Sequence, residues 1–312
     1  MIPGYTVHEL IYEGPLTLVY SALADADGER VVLKTLKPEH NVPAAAARLR
    51  HEYNVTKSLS FNEIVPVLSL EQNEDNVTLV MEDFDGISLH HYMMIEKLGI
   101  GEVLELAVQI VSAIEKLHRE QIIHKDIKPH NLIVNRHSDV VKLTDFGISS
   151  LLSSENQSVV SPQVLEGTLP YMSPEQTARM NRGLDYRSDF YSFGVTLYEM
   201  LTYSLPFQVE DSMEMIHCHI AKKPESPVVR NPLIPLVLSD IVLKLMAKMP
   251  EDRYQSAFGL KKDLENCLQQ WQETNAIRQF PLGEHDVLSR FMIPEKLYGR
   301  EKEVEKLLAT FE

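Results

Sequence analysis

The sequence predicts a two-lobed α+β fold, with a strand-rich N-lobe, a helical C-lobe and a cleft between them. Three observations predict it. Short β-branched and apolar clusters fill the first ~90 residues, broken by a single helical stretch. From Gly101 onward, apolar residues recur at helical spacing. Phe190 to Leu201 is apolar nearly all round, the pattern of a helix buried on every side.

Taken in order, Leu18-Val19-Tyr20, Val31-Val32-Leu33 and Val77-Thr78-Leu79-Val80 read as strands. A helix starts near Pro43, runs through four alanines and ends at about Leu59. Val103, Leu106, Ile110, Ile114 and Leu117 share a helix face that Leu104, Val108 and Val111 widen, so that helix is buried on most sides. Leu132-Ile133-Val134 and Val140-Val141-Lys142-Leu143 form a short hairpin. Phe190–Leu201 is the central helix of the second lobe. Ser239 and Ser256 stand where N-caps are expected, before Ile241–Met246 and Phe258–Leu268. Past Trp271 the periodicity fades. Residues 271–296, with Pro281, Gly283 and Pro294, read as a linker still free to pack on a neighbouring surface. A last amphipathic helix carries Val304, Leu307, Leu308 and Phe311 on one face.

Composition narrows the function classes. A chain of 312 residues with 44% hydrophobic and 24% charged content can build its core without disulfides or a structural metal. Its two cysteines, Cys218 and Cys267, have no metal-ligand or CxxC spacing and read as buried or idle thiols of a reducing compartment. A net charge of −15 argues against general nucleic-acid binding, which needs a positive face. No basic and apolar blocks of a signal peptide open the chain, and no apolar run approaches the ~20 residues that span a bilayer. The expectation is a cytoplasmic protein with neither membrane nor nucleic-acid partner.

The chemistry concentrates in Ile123-His124-Lys125-Asp126-Ile127-Lys128-Pro129-His130-Asn131. A carboxylate can accept a hydroxyl proton, an ammonium two residues on can steady a transferring phosphate, and an amide oxygen five residues on can hold a metal ion. Asp145-Phe146-Gly147 follows, with a second carboxylate to complete a magnesium site, and the hairpin between brings Asn131 and Asp145 together. Glu52 has its own argument. Leu49, Glu52, Thr56 and Leu59 share one face of the 43–59 helix, so the carboxylate points at an apolar surface. Burying it unpaired is costly, and Lys34 is the natural partner; the alternative is a solvated surface pair with Arg48 or His51.

In order and spacing, these motifs resemble the protein kinase family. The resemblance covers about residues 5–270 and adds further matches. Val31-Val32-Leu33-Lys34 is similar to the strand carrying the phosphate-binding lysine, with Val32 where Ala is usual. Ser173-Pro174-Glu175 matches the end of the activation segment. Asp189 matches the aspartate bracing the catalytic loop, and Arg253 the arginine that pairs with Glu175. The resemblance implies a protein-kinase-like fold with N-lobe about 1–84 and C-lobe about 85–270. It implies ATP and Mg²⁺, or Mn²⁺ in its place, with Asn131 and Asp145 as metal ligands. Lys34 and Glu52 would orient the phosphates, Asp126 and Lys128 would serve the transfer, and Met81 would stand as gatekeeper. The backbones of Glu82 and Phe84 would meet the base, and Gly14, Val19 and Ile133 would line the nucleotide. From the residues alone, Leu79–Phe84 is equally a core strand entering a loop. Lys128, with Gly167-Thr168-Leu169-Pro170-Tyr171-Met172, is similar to the serine/threonine type, Thr168 forming the substrate platform against Asp126 and Lys128.

The chain departs from the family at two further points. In the phosphate-covering loop, Tyr12, Gly14 and Thr17 stand where three glycines are usual, and Pro15 removes a backbone donor. The runner-up expectation is therefore a pseudokinase, a nucleotide-binding module that signals without transfer. Lys125 replaces the arginine that gathers around a phosphorylated activation loop, which suggests that activation does not depend strictly on loop phosphorylation. Ile148–Met172 carries Ser149, Ser150, Ser153, Ser154, Ser158, Ser161 and Thr168. It reads either as a flexible polar loop or as an autophosphorylated one, with Ser158 and Ser161 the candidate phosphosites.

Leu297-Tyr298-Gly299-Arg300-Glu301 resembles the opening of an AAA-type ATPase domain, making 297–312 the start of a truncated second domain after a kinase domain at 1–270. No GxxxxGK[ST] occurs in the chain. The order is similar to large bacterial sensor proteins in which a serine/threonine kinase precedes ATPase, GAF and histidine kinase modules. ATPase and sensor modules are the expected partners, with the protein substrate unknown; the alternative for 297–312 is a docking helix.

Overall fold

The computed structural model describes residues 2–38, 42–73, 76–151, 167–177, 179–180 and 183–287. Ser153, Ser154, Ser158, Ser161 and the expected helix and second domain at 297–312 lie outside the described residues.

The N-lobe is a five-stranded antiparallel sheet of β1 (Tyr5–Glu13), β2 (Thr17–Ala24), β3 (Arg30–Leu36), β4 (Val67–Asn73) and β5 (Asn76–Glu82), ordered β1-β2-β3-β5-β4. α1 (Pro43–Lys57) packs on β4 and β5, with Ala45, Ala46 and Leu49 meeting Leu36 and Val77. Pro43 opens this helix because its fixed φ suits the first turn and its missing N–H is no loss there. It stops two residues short of Leu59. The central strands β3 and β5 are nearly continuous in buried residues, whereas β1, an edge strand, is exposed along most of its length.

Behind the linking segment, β6 (Ile87–Ser88), α2 (Leu89–Ile95) and α3 (Ile100–Arg119) open the C-lobe. β7 (Ile122–Ile123) leads into the catalytic run, β8 (Leu132–Asn135) and β9 (Val140–Leu143) form the expected hairpin, and β10 (Ser150–Leu151) pairs with β7. α4 (Arg187–Thr202) is the central helix; 14 of its 16 residues are buried, which its all-round apolar sequence demands. α5 (Ser212–Ile220), α6 (Pro227–Arg230), α7 (Leu236–Leu245) and α8 (Ala257–Thr274) complete the described helices. Gly194 lets α7 approach α4 closely, since a Cβ there would lie 2.7 Å from Leu245 Cβ. The lobes are stitched together beyond the linker: Val65 N–H donates to Leu143 O at 2.9 Å, and Leu143 N–H to Glu63 O at 2.8 Å. Among the described residues no helix is long and apolar enough to cross a membrane.

One cap differs from expectation. Ser256 does cap α8, accepting from Gly259 N–H at 3.0 Å. Ser239, however, lies inside α7, whose N-cap is Pro235. Pro235 lets the helix begin earlier, with Leu236, Val237 and Leu238 already on its turns. The Ser239 hydroxyl caps a neighbour instead, accepting from Val228 N–H in α6 at 2.8 Å. Past Thr274, Asn275 takes a left-handed conformation (φ 52°) and the chain folds back, with Ile277, Phe280 and Leu282 packed on the C-lobe core.

Candidate active site

Strand register places Lys34 directly across from Val19 on one side and Leu79 on the other, on the sheet face that looks into the cleft. Its ammonium lies 2.7 Å from Glu52 Oε2 and 3.0 Å from Asp145 Oδ1. Glu52 is 2% exposed, so the buried pairing applies rather than the surface one. Burial opposes the charge on Lys34, but Asp145 and Glu52 outweigh it and raise its pKa. Burial, with the negative charge of Asp145, pushes the Glu52 carboxyl up while Lys34 pulls it down. Partial desolvation would raise the Asp145 carboxyl, but Lys34 outweighs it and brings it down to about 2. His51, the other partner considered for Glu52, instead bonds Ser149 O through Nε2 at 2.7 Å, tying α1 to the start of the activation segment.

Asp126, Lys128, Asn131 and Thr168 converge. Lys128 Nζ donates to Asp126 Oδ2 at 2.6 Å and also to Thr168 Oγ1, while Thr168 N–H donates to Asp126 Oδ1 at 3.0 Å. Asn131 Nδ2 donates to Asp126 O at 2.8 Å and to Asp126 Oδ2 at 3.0 Å. The loop that holds Asp126 is braced from α4. Asp189, wholly buried, accepts from Lys125 N–H at 2.8 Å and His124 N–H at 3.0 Å, and its Oδ2 lies 2.9 Å from His118 Nε2. This holds Lys125 at φ 70°, a left-handed conformation uncommon for a residue with a side chain. The Lys125 side chain is buried, and its carbonyl accepts from Gln176 Nε2 at 2.9 Å.

At the linker between lobes, Met81 is buried across from Val32 and packs with Val65, Val67, Leu79 and Ile133. Glu82 N–H donates to Pro66 O at 3.0 Å, and Phe84 O accepts from Asn135 Nδ2 at 2.9 Å. Lys142 sits 4.3 Å from the Phe84 ring centroid and 3.5 Å from Glu82 Oε1. Gly14 turns the chain between β1 and β2, its N–H donating to Thr17 O at 2.9 Å.

Glu175 closes the described end of the activation segment, bonded by Arg253 Nη1 at 2.6 Å and Nη2 at 2.9 Å and by Ser188 Oγ at 2.8 Å. Sequence reading missed His118, Asn135, Lys142 and Gln176, and weighed His51 only as a surface partner of Glu52. His118 had a legible signal, an imidazole beside the apolar stripe of α3. The others act on backbone groups or rings, which motif spacing does not reveal.

Magnesium fits the residues present. Both amide hydrogens of Asn131 are spent on Asp126, which turns Oδ1 out as an acceptor. Asp145 is ionised, with 41% of its side chain exposed. Among the described residues no group of three or more His, Cys, Asp or Glu could hold a metal alone. Two oxygen ligands suit a hard cation whose remaining positions are filled by phosphate and water.

A model of the protein kinase domain matches residues 5–267. A probable serine/threonine-protein kinase of Streptomyces coelicolor is 35% identical over 270 residues, covering 85% of this chain and 40% of that protein. Serine/threonine-protein kinase PrkC of Bacillus subtilis is 33% identical over 266 residues, covering 84% and 40%. Hybrid signal transduction histidine kinase G of Dictyostelium discoideum is 32% identical over 300 residues, covering 68% and 9%. The chain thus spans about two fifths of the first two relatives and a small part of the third. With the family match running through both lobes and every motif of the cleft, the chain belongs to the protein kinase family.

Proposed function

We propose that this chain is a serine/threonine protein kinase that transfers the γ-phosphoryl group of Mg-ATP to a protein hydroxyl in bacterial signal transduction. The observation that carries the reading is the pair of ion pairs from the Lys34 ammonium to Glu52 and Asp145, which sets a fixed cation facing the cleft. Lys34, oriented by Glu52, binds the α- and β-phosphates. Gly14 and Val19 cover the nucleotide; Met81, Glu82, Phe84 and Ile133 receive its base. Asn131 and Asp145 would hold Mg²⁺, or Mn²⁺ in its place, which would supply charge neutralisation at the phosphates. Asp126 orients the acceptor hydroxyl and accepts its proton. Lys128 neutralises charge on the transferring group, and Thr168 fixes Lys128 and Asp126 in register. Asp189, Glu175 and Arg253 hold this arrangement from below. The two bacterial serine/threonine kinases at 33% and 35% identity support the acceptor class.

ATPase and sensor modules joined to this chain remain our reading for the longer protein. It is supported by the Leu297-Tyr298-Gly299-Arg300-Glu301 resemblance and by the hybrid histidine kinase relative. The cytoplasmic location expected from the sequence is likewise our proposal. Ser158 and Ser161 are proposed autophosphorylation sites.

The test is incubation with Mg²⁺, labelled ATP and a generic acceptor protein beside Asp126→Asn and Lys34→Ala. Transfer to serine or threonine, lost in both variants, is the expected result. Tyr12 and Thr17 in place of glycines, with Pro15 between them, favour a second reading as a non-transferring nucleotide-binding module. Nucleotide binding without transfer would select it.

A further inference from the structure

Downstream of the residues that match the family, the chain between 276 and 287 forms a strap across the N-terminus of α8. Asp286 anchors it. Its Oδ2 accepts from Gln255 N–H at 2.7 Å, and its Oδ1 accepts from Ser256 N–H at 2.8 Å and Ser256 Oγ at 2.7 Å. A second clasp lies beside it: Gly283 N–H donates to Asp263 Oδ2 at 2.8 Å, an oxygen that also accepts from Tyr254 OH at 2.6 Å. The helix has a seat for the strap. At Gly259 a Cβ would stand 2.5 Å from Asp286 Cα, so only glycine lets the two backbones meet.

The residues that Asp286 holds lead to the active site. The Gln255 side chain donates to Pro250 O at 3.0 Å and Arg253 O at 2.7 Å, and it accepts from Arg187 Nη1 at 2.7 Å. Tyr186 OH donates to Gln255 O at 2.8 Å. Arg187 opens α4, and the next two residues are Ser188, bonded to Glu175, and Asp189, bonded to the amides of His124 and Lys125. An unbroken series of hydrogen bonds and adjacent residues thus runs from the strap to the end of the activation segment and to the catalytic loop.

We propose that Asp286 is a positioning residue for phosphoryl transfer: docked on Gln255 and Ser256, it holds the seat of Glu175 and Asp189 through Gln255 and Arg187. The proposal rests on the kinase reading for its effect on turnover, but its structural content stands apart from that reading. The competing account is a helix cap whose influence ends within the first turns of α8.

The test uses the full 312-residue chain as wild type, Asp286→Ala, Asp286→Asn, Gly259→Ala and the Asp286→Ala/Gly259→Ala double variant. Gly259→Ala is informative because alanine favours the helix over glycine while it displaces the strap. Hydrogen–deuterium exchange is read first. The expected result is about tenfold faster exchange at 173–177 and 185–189 in each single variant, with 103–117 unchanged and the double no worse than the singles. Turnover should fall about tenfold at unchanged nucleotide affinity, since small misplacements of positioned groups act on rate. Faster exchange confined to 255–263, or equal losses across α3, overturns the proposal. A wild type without transfer would refute the kinase reading while the exchange result still decides this one. If Asp286→Ala fails to fold, Asp286→Asn and Gly259→Ala carry the same readouts.

Discussion

Arg253 grips Glu175 with both prongs of its guanidinium, at 2.6 and 2.9 Å, and neither side chain has any exposed surface. Its remaining donors reach Ala247 O, Arg187 O and Lys248 O, so all five N–H groups are satisfied. Burial alone would raise the Glu175 pKa; Arg253 reverses that and lowers it. Arg253→Met leaves a buried carboxylate unpaired and should cost about 3–5 kcal/mol in denaturant unfolding. Arg253→Met combined with Glu175→Leu should recover most of that loss. A cost under about 1 kcal/mol for the single variant would mean the pair is not the C-lobe anchor described.

Gly86 sits where the segment linking the lobes meets β8. A Cβ there would lie 2.7 Å from Ile133 Cγ2 and 2.9 Å from Val134 O, and a backbone carbonyl cannot swing aside as a side chain can. Gly86→Ala should therefore tilt Ile133 and the Phe84 segment together and weaken Mg-ATP binding about tenfold, or ~1.4 kcal/mol, by calorimetric titration. Gly99→Ala, with nothing within 4 Å of the new methyl, is the control that should bind as wild type does. Equal affinities in both variants would show that the linker does not carry the base.

What was legible in the sequence follows from how each residue acts. Lys34 meets Asp145, and Lys128 and Asn131 meet Asp126, through side chains of required type at set spacings, so the linear pattern exposes them. The burial of Glu52 was legible too, because a lone carboxylate on an apolar helix face needs a partner. Ser239 misled because its hydroxyl does cap a helix, but one contributed by another part of the chain. Asp286, Gln255 and His51 stayed hidden for a related reason. Each bonds backbone groups, and any segment supplies those whatever its sequence.

Thr168 touches both charged members of the transfer cluster, accepting from Lys128 Nζ and donating its N–H to Asp126 Oδ1. Thr168→Val preserves shape and the backbone bond but removes the hydroxyl. Lys128 then loses one of two fixed partners, and turnover should fall about a hundredfold while the KM for ATP stays within about twofold. Thr168→Ser should restore most of the rate. An equal rise in the KM for ATP would place the hydroxyl on the nucleotide side instead.

Lys248 offers a pH-dependent test of C-lobe packing. Its ammonium lies 4.9 Å from the Phe207 ring centroid and 5.7 Å from that of Tyr191, and donates to Cys218 O at 3.1 Å. Burial, then the nearby Arg253 charge, lowers its pKa from 10.5 to about 8. Between those two values the unfolded chain binds more protons than the folded one, so this residue makes stability rise with pH across that window. Below about 8 both states are protonated and the full cost of the buried charge is present. Lys248→Met removes the cost and its pH dependence. The stability of wild type minus that of Lys248→Met should therefore climb by on the order of 1 kcal/mol between pH 8 and 9.5, after allowance for solvent screening. Taking the difference cancels the groups that the substitution leaves unchanged. A flat difference would mean that Lys248 keeps its ordinary pKa by reaching solvent.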